Sequence, residues 1–282
     1  MHSIASARAW AARQFRQSGV DAPALASDLL LGFALGRDRV YILAHAAEGV
    51  PDAAWRLYGS LVRRHAGGEP LQYLIGEREF FGLDFSVTPA VLIPRPETEI
   101  LVEAALRLAP GPDMRYADVG TGSGCVAVSV ACRLPASSGW ATDISGAALE
   151  VACANAARHG VLGRVRFIRA DLLECFRPGP LFDMILSNPP YVALEDYDTL
   201  SSGVRDHEPR GALVGGRDGL DCYRRLAPGA APRLAPGGRL LLEVGRGQAG
   251  RVRRLMEGAG LAAEEAIGDL QGIPRCLVFR KE

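Results

Sequence analysis

The sequence predicts an α/β protein: a doubly wound, mainly parallel sheet preceded by a small N-terminal helical bundle and joined to it by a β-hairpin. Three observations carry that expectation. Apolar residues recur at helical spacing from Ile4 to Gly67, the spacing turns strand-like between Glu77 and Val87, and from Arg115 onward short apolar strands alternate with helical patterns. A chain of 282 residues accommodates one medium domain with a small partner.

Composition narrows the classes of function. The formal net charge is +0, so the charge balance does not announce a polyanionic partner and no direct contact with nucleic acid is expected. Nearly all cationic side chains are Arg, with Lys281 the only lysine. The six cysteines (Cys125, Cys132, Cys153, Cys175, Cys222 and Cys276) are scattered, without a CxxC pair or a neighbouring His cluster. They read as reduced thiols of a cytoplasmic protein, and no metal site is expected. No apolar run approaches the length of a bilayer, so no membrane association is expected. The stretch Met1 to Phe15 bears Arg and lacks acids, as an organelle-targeting peptide does, but its spacing reads as an N-terminal amphipathic helix.

In the helical part, Ile4, Ala7, Trp10, Ala11 and Phe15 share one face and Gly19 closes the segment. Asp21 is expected to cap a second helix, with Pro23 in its first turn, running through Leu29, Leu30 and Phe33 to Gly36. Asp38 starts a third, short helix through Val40 and Leu43. A fourth begins at Pro51–Asp52, brings Trp55, Tyr58, Leu61 and Val62 together, and stops at Gly67–Gly68. His45 and His65 stand alone and read as surface or cap residues. Phe80–Phe81–Gly82–Leu83 then reads as a tight hairpin. The stretch from Val91 to Glu99 (VLIPRPETE) follows, with Pro96 opening a helix whose apolar positions are Ile100, Leu101, Ala104, Ala105 and Leu108. An Arg locked between two prolines suits the lining of a cleft; as a mere strap, Arg95 would pair with Glu97.

Tyr116–Ala117–Asp118–Val119 reads as a buried strand, followed by Gly120–Thr121–Gly122–Ser123–Gly124 and a helix from Val126 to Leu134. Strand, glycine turn and helix open a nucleotide-binding βαβ unit, because glycines let a ligand approach the backbone and the helix start supplies unpaired N–H groups. The motif is GxGxG, not the GxGxxG of nicotinamide dehydrogenases. A second strand, Gly139 to Asp143, ends in an acid placed to take both hydroxyls of a ribose. The set points to an adenosine-containing ligand. A helix from Ala147 to His159 returns to a third strand, Val165 to Arg169. There Asp171 is either a helix cap or an acceptor for an adenine amino group, with Leu172 against the ring.

The fourth strand, Phe182 to Leu186, delivers Ser187–Asn188–Pro189–Pro190–Tyr191. Two prolines end the ladder and hold Asn188 extended at the strand mouth. The loop offers an amide, two prolyl carbonyls and a phenol ring, but no strong base and no metal ligand. The long stretch Val192 to Gly219 reads as a functional lid. A helix from Leu220 to Leu234, a turn at Pro236–Gly237–Gly238, a fifth strand from Arg239 to Val244, a helix from Gln248 to Glu257 and two strands, Ala262 to Ile267 and Arg275 to Phe279, complete the pattern.

GxGxG, a ribose acid and Asn-Pro-Pro-Tyr after the fourth strand are marks of S-adenosylmethionine-dependent methyltransferases that act on nitrogens attached to planar groups. Over nearly the whole chain, the VLIPRPETE strap, DVGTGSG, NPPY, the HEPRGALVGGRDGL loop and the GGRLLLEVG strand resemble the release-factor glutamine methyltransferases, the HemK or PrmC family. The resemblance implies a seven-stranded methyltransferase sheet at 97–282, a helical substrate-recognition domain at 1–75 and a hairpin and strap at 76–96. It also implies a cytoplasmic enzyme, expected to be a monomer, that methylates the glutamine of the Gly-Gly-Gln loop in class-one peptide release factors and leaves S-adenosylhomocysteine. Cofactor contacts are expected from Gly120, Thr121, Gly122, Ser123, Gly124, Asp143, Asp171, Leu172 and Asn188. Members of the family tend to carry an aromatic where this chain has Leu172, which leaves apolar contact in place of stacking. Asn188 and the Pro189 carbonyl are expected to accept the two N–H bonds of the substrate amide and Tyr191 to pack on it, with Pro190 and Arg95 nearby. An adenine amino-methyltransferase of DNA or RNA shares NPPY, and a ribosomal-protein glutamine methyltransferase is a nearer sibling. A cofactor-binding protein without turnover would have no use for Asn188 and Tyr191.

Overall fold

The computed structural model describes residues 2–282, so that Met1, the first residue of the N-terminal stretch, lies outside it. The chain divides into two units: one runs through Glu77 and includes Ser201–His207, the other comprises Arg78–Leu200 and Glu208–Glu282. In the first, a two-residue strand β1 (His2–Ser3) pairs with β2 (Gly49–Val50) beside helices α1 (Ile4–Gln17), α2 (Pro23–Leu35), α3 (Arg39–Ala44), α4 (Asp52–Ala66) and α5 (Leu71–Ile75). Ile4, Ala7, Ala11 and Phe15 of α1 pack with Leu30 and Leu31 of α2 and with Tyr58, Leu61 and Val62 of α4 in one apolar core. Asp28, buried on α2, is held by Arg8 Nε at 2.6 Å and Arg39 Nε at 3.3 Å, so its charge is compensated from two helices. Asp38 caps α3 through the Tyr41 N–H at 2.8 Å. Asp21 does not cap α2: Ala22 takes the cap position with φ +48° and has no side-chain acceptor, and the fixed φ of Pro23 starts the helix unaided.

The second unit begins at Arg78, one residue into the hairpin of β3 (Glu77–Phe80) and β4 (Leu83–Ser86), which is turned by Phe81 and Gly82, both at positive φ as a two-residue hairpin turn requires. A 3-10 turn, Pro96–Thr98, leads into α6 (Glu99–Arg107). Then come β5 (Arg115–Val119), α7 (Cys125–Arg133), β6 (Ser138–Asp143), α8 (Gly146–Arg158), β7 (Val165–Arg169) and β8 (Phe182–Ser187). The loop after β8 carries a 3-10 turn, Leu194–Thr199, and two single-turn helices, α9 (Ser202–Arg205) and α10 (Arg210–Leu213), and a bridge between Val192 and Val214 ties its ends. It therefore has secondary structure of its own. Helix α11 (Asp221–Ala230), β9 (Leu234–Glu243), α12 (Ala249–Gly258), β10 (Leu261–Gly268) and β11 (Pro274–Lys281) complete the chain.

The seven strands order as β10-β11-β9-β8-β5-β6-β7. Five are parallel, and β11 runs antiparallel between β9 and β10. Alternation along the central strands divides the core between two faces: Tyr116, Met184 and Leu186 pack with α6 and α7, whereas Ala117, Val119 and Ile185 pack with α11 and α12. Pro236–Gly238 does not precede the fifth parallel strand but forms an irregularity inside β9, where pairing jumps from Phe182↔Leu234 to Met184↔Arg239. The chain winds outward from β5 through β6 to β7, then returns to the other side of β5 with β8 and β9. The carboxyl ends of β5 and β8 therefore flank the topological switch point, where open α/β sheets bind their ligands. Among the described residues no helix is long and apolar enough to cross a membrane, and no group of His, Cys, Asp and Glu is placed to hold a metal ion.

β6 passes so close to β5 that a Cβ on Gly139 would stand 2.5 Å from the Tyr116 hydroxyl, which is buried and donates to the Ala127 carbonyl at 2.6 Å. Gly139→Ala is therefore expected to destabilise the protein by about 1–3 kcal/mol through overpacking. A lower urea midpoint with an unchanged slope checks this, and an unchanged midpoint would show that Tyr116 has room to move.

Candidate active site

The turn between β5 and α7 is held by carboxylates at the ends of two adjacent strands. Asp118, buried, accepts the Thr121 hydroxyl at 2.6 Å and the Ala127 N–H at 3.2 Å, so one side chain ties strand, turn and helix start. Burial pushes its carboxyl up to about 6 although both hydrogen bonds oppose the shift. Asp143, at the end of β6, accepts the Gly122 N–H at 2.9 Å on one oxygen and the Ser145 N–H at 2.9 Å on the other. Gly120 and Gly122 adopt φ of +73° and +57°, and a Cβ on either meets nothing within 4 Å. The backbone there borders open space that a side chain would fill.

That space is part of a cavity of about 450 Å³ lined by the glycine turn, by Asp143 and Ile144, by Asp171 and Leu172, and by Asn188 and Pro190. Ile144 is 65% exposed, an unusual state for a large apolar side chain in a cleft. Leu172 has φ +49°, a strained conformation for a residue other than glycine, and its carbonyl accepts the Thr142 hydroxyl at 3.0 Å. Asp171 does not cap a helix; it pairs with Arg225 at 2.7 Å at the cavity wall. Asn188 donates its Nδ2–H to Thr98 Oγ1 at 3.1 Å, which leaves the Oδ1 arm as the acceptor available to a ligand. Thr98 is itself buried.

Arg95 lines the cavity but is not free. Its guanidinium pairs at 2.6 Å with Glu208, whose carboxyl is buried and also accepts the Ile93 N–H at 3.3 Å. The partner is thus the loop after β8, not Glu97. Gly124 serves as the left-handed cap of α7, packed against Ala152, and Pro189 and Tyr191 are not in the cavity wall. Tyr191 packs against the core on the α11 side, with its hydroxyl 3.5 Å from Glu243 Oε1. Burial and the neighbouring Glu243 push its phenol up to about 12.

The structure therefore brings Gly120, Thr121, Gly122, Ser123, Asp143, Asp171, Leu172, Asn188, Pro190 and Arg95 around one cavity. Four residues that the sequence reading passed over join them or support them: Asp118, Thr98, Glu208 and Glu243. Asp118 and Glu243 carry a legible signal, since each is an acid inside an otherwise apolar strand, and such a residue needs a buried partner. Thr98 and Glu208 carry none without the fold.

Comparison with known proteins agrees with this architecture. Residues 6–76 match the model of the PrmC N-terminal domain and residues 96–202 that of the methyltransferase small domain. A release factor glutamine methyltransferase of Koribacter versatilis is 43% identical over 273 residues, covering 96% of this chain and 96% of the relative. One from Moorella thermoacetica is 46% identical over 275 residues with the same coverage. Among solved structures, a methyltransferase from Pyrococcus furiosus superposes with a TM-score of 0.53 at 20% identity, covering 72% of this chain and 90% of that one, and shares the fold. The chain is a methyltransferase and belongs to the release factor glutamine methyltransferase family.

Proposed function

We propose that this protein transfers a methyl group from S-adenosylmethionine to the side-chain amide nitrogen of the glutamine in the Gly-Gly-Gln loop of class-one peptide release factors. The observation that carries the reading is the Asn188 carboxamide standing in the same cavity wall as the open glycine turn. The names of relatives that match the chain nearly end to end support the substrate.

Methyltransferases of this type use S-adenosylmethionine, and the residues present fit it. The bare backbone at Gly120 and Gly122 admits the amino-acid end of the cofactor, Asp143 retains carboxylate lone pairs for the ribose hydroxyls, and exposed Ile144 with Leu172 offers apolar contact for the adenine. Asp171, paired with Arg225, stands beside that apolar contact as the acceptor for the adenine amino group. When bound, the cofactor supplies an electrophilic sulfonium methyl.

The chain's own contribution is positioning. An amide nitrogen is a weak nucleophile because its lone pair is delocalised into the carbonyl, so it must be held in line with the methyl. Asn188 Oδ1 accepts one N–H of the substrate amide, and the second acceptor is the carbonyl of Pro189, which lies between the two cavity-lining residues Asn188 and Pro190. Both oxygens favour the positive charge that develops on the nitrogen as it gains the methyl. The nitrogen then sheds a strongly acidic proton, which water accepts, so no side-chain base is called for. Tyr191 holds the loop from its core side. We assign recognition of the rest of the release factor to the helical unit, where Val40 (73% exposed), Leu43, Phe33, Leu25 and Leu57 present large apolar side chains to solvent.

Incubation with labelled S-adenosylmethionine is expected to label a release factor but neither its Gln→Ala variant nor DNA. Label on DNA, or on the variant as strongly as on the wild type, would contradict the reading. Asn188→Ala should lower kcat about 100-fold or more while cofactor Kd changes by less than about threefold, because the side chain acts on the substrate amide. Equal loss of both would assign Asn188 to the fold instead. The double variant Val40→Glu, Leu43→Glu should raise KM for the release factor about tenfold at unchanged kcat, as expected when an apolar docking surface becomes charged; an unchanged KM removes the helical unit from recognition.

A further inference from the structure

We infer that Gln248 is a positioning residue for methyl transfer: its carboxamide, mounted at the start of α12, holds the Tyr191 carbonyl and so fixes the backbone that presents Asn188 and the Pro189 carbonyl to the substrate. This inference rests on the proposed function. Its starting point is a property of the chain. Pro189 and Pro190 have no N–H groups, so the loop after β8 lacks the two donors that would fasten an ordinary turn. Their rings lock φ at both residues, and the direction of the carbonyls between is then decided by how the two ends of the pair are held.

One end is the Asn188 side chain on Thr98. At the other, Gln248 Nε2 donates to the Tyr191 carbonyl at 2.8 Å, across 57 residues of chain. The same nitrogen lies 3.5 Å from the Gly219 carbonyl, and Gln248 Oε1 accepts the Gly245 N–H at 3.1 Å. A backbone N–H can only donate and a backbone carbonyl can only accept, so the partners themselves assign both ends of this carboxamide. One side chain thus joins three segments: the loop after β8, the stretch that leads into α11, and the turn between β9 and α12.

The packing around it draws these segments together. A Cβ on Gly219 would collide with the Tyr191 carbonyl oxygen and stand 2.6 Å from Gln248 Nε2. One on Gly245 would stand 2.8 Å from Gln248 Oε1 and 2.9 Å from Tyr191 Cδ2. A side chain at either position would push apart what the carboxamide joins. Gln248 is itself firmly mounted: its N–H donates to the Gly245 carbonyl at 3.1 Å, and its carbonyl accepts the N–H groups of Arg251 and Val252 at 2.9 and 3.0 Å. Val252 and Met256 seat α12 in the core. The hold on Tyr191 therefore comes from a packed helix, and because Gln248 is not in the cavity wall it acts through the loop and not on the reactants.

The test uses the full-length chain with labelled S-adenosylmethionine and release factor as substrate, and kcat is counted per cofactor-binding site so that unfolded protein does not enter. Gln248→Met keeps the length of the side chain and removes its hydrogen bonds. Gln248→Glu keeps an acceptor for the Gly245 N–H and loses the donor to Tyr191, so it decides the matter alone if Gln248→Met does not fold. In both, kcat is expected to fall at least about tenfold while the cofactor Kd and the KM for release factor stay within about threefold, as misplacement of an aligning group implies. Gly245→Ala, which crowds Gln248 and Tyr191 from the other side, should show the same split. Wild-type kcat in Gln248→Glu, or a cofactor Kd that weakens in proportion to kcat, overturns the inference while leaving the function intact. An inactive wild type in the same assay overturns the function and the inference together.

Discussion

The site depends on one buried carboxylate. Asp118 is the penultimate residue of β5, and its two hydrogen bonds reach the glycine turn at Thr121 and the first turn of α7 at Ala127. It satisfies an N–H that the start of a helix leaves unpaired, and the helix dipole favours a negative charge there. Glycines at positive φ shape the turn but do not hold it. Without the acid, the turn that borders the cavity would keep its ties to β6, through Asp143 and the Thr142 carbonyl, and lose those that fasten it to β5 and to the start of α7.

From that anchor the rest of the cavity follows from topology. The parallel strands β5, β6 and β8 end on one edge of the sheet, and each places a polar group there: Asp118 and the glycine turn, Asp143, and Asn188. Asn188 among these groups, and the strap residue Arg95 beside them, are fastened by neighbours distant in sequence, Asn188 by Thr98 and Arg95 by Glu208, 113 residues away. The result is a site with hydrogen-bond acceptors at defined positions.

Much of this was legible in the sequence, because the legible parts are governed by local chemistry. Pro189 and Pro190 end a strand wherever they occur, and the GxGxG turn needs residues that tolerate positive φ. What was not legible depends on distant partners. Asp21 reads as a cap until the left-handed turn at Ala22 puts that residue in the cap position, and Pro236–Gly238 reads as a turn until pairing with β8 draws it into a strand. The insertion of β11 between β9 and β10 follows from chain return, not from the composition of either strand. Arg95 reads as a cleft residue and does line the cavity, yet its charge is spent on Glu208, which no local spacing foretells.

In the proposed reaction a glutamine amide is received by the Asn188 oxygen, with the Asn188 nitrogen held on Thr98. A crystal structure of the protein with S-adenosylhomocysteine and a peptide carrying Gly-Gly-Gln measures this most directly. The glutamine side-chain nitrogen is expected at about 2.9 Å from Asn188 Oδ1, with Asn188 Nδ2 still bonded to Thr98 Oγ1. An amide bound elsewhere in the cavity, or Asn188 turned with its nitrogen toward the peptide, would contradict it.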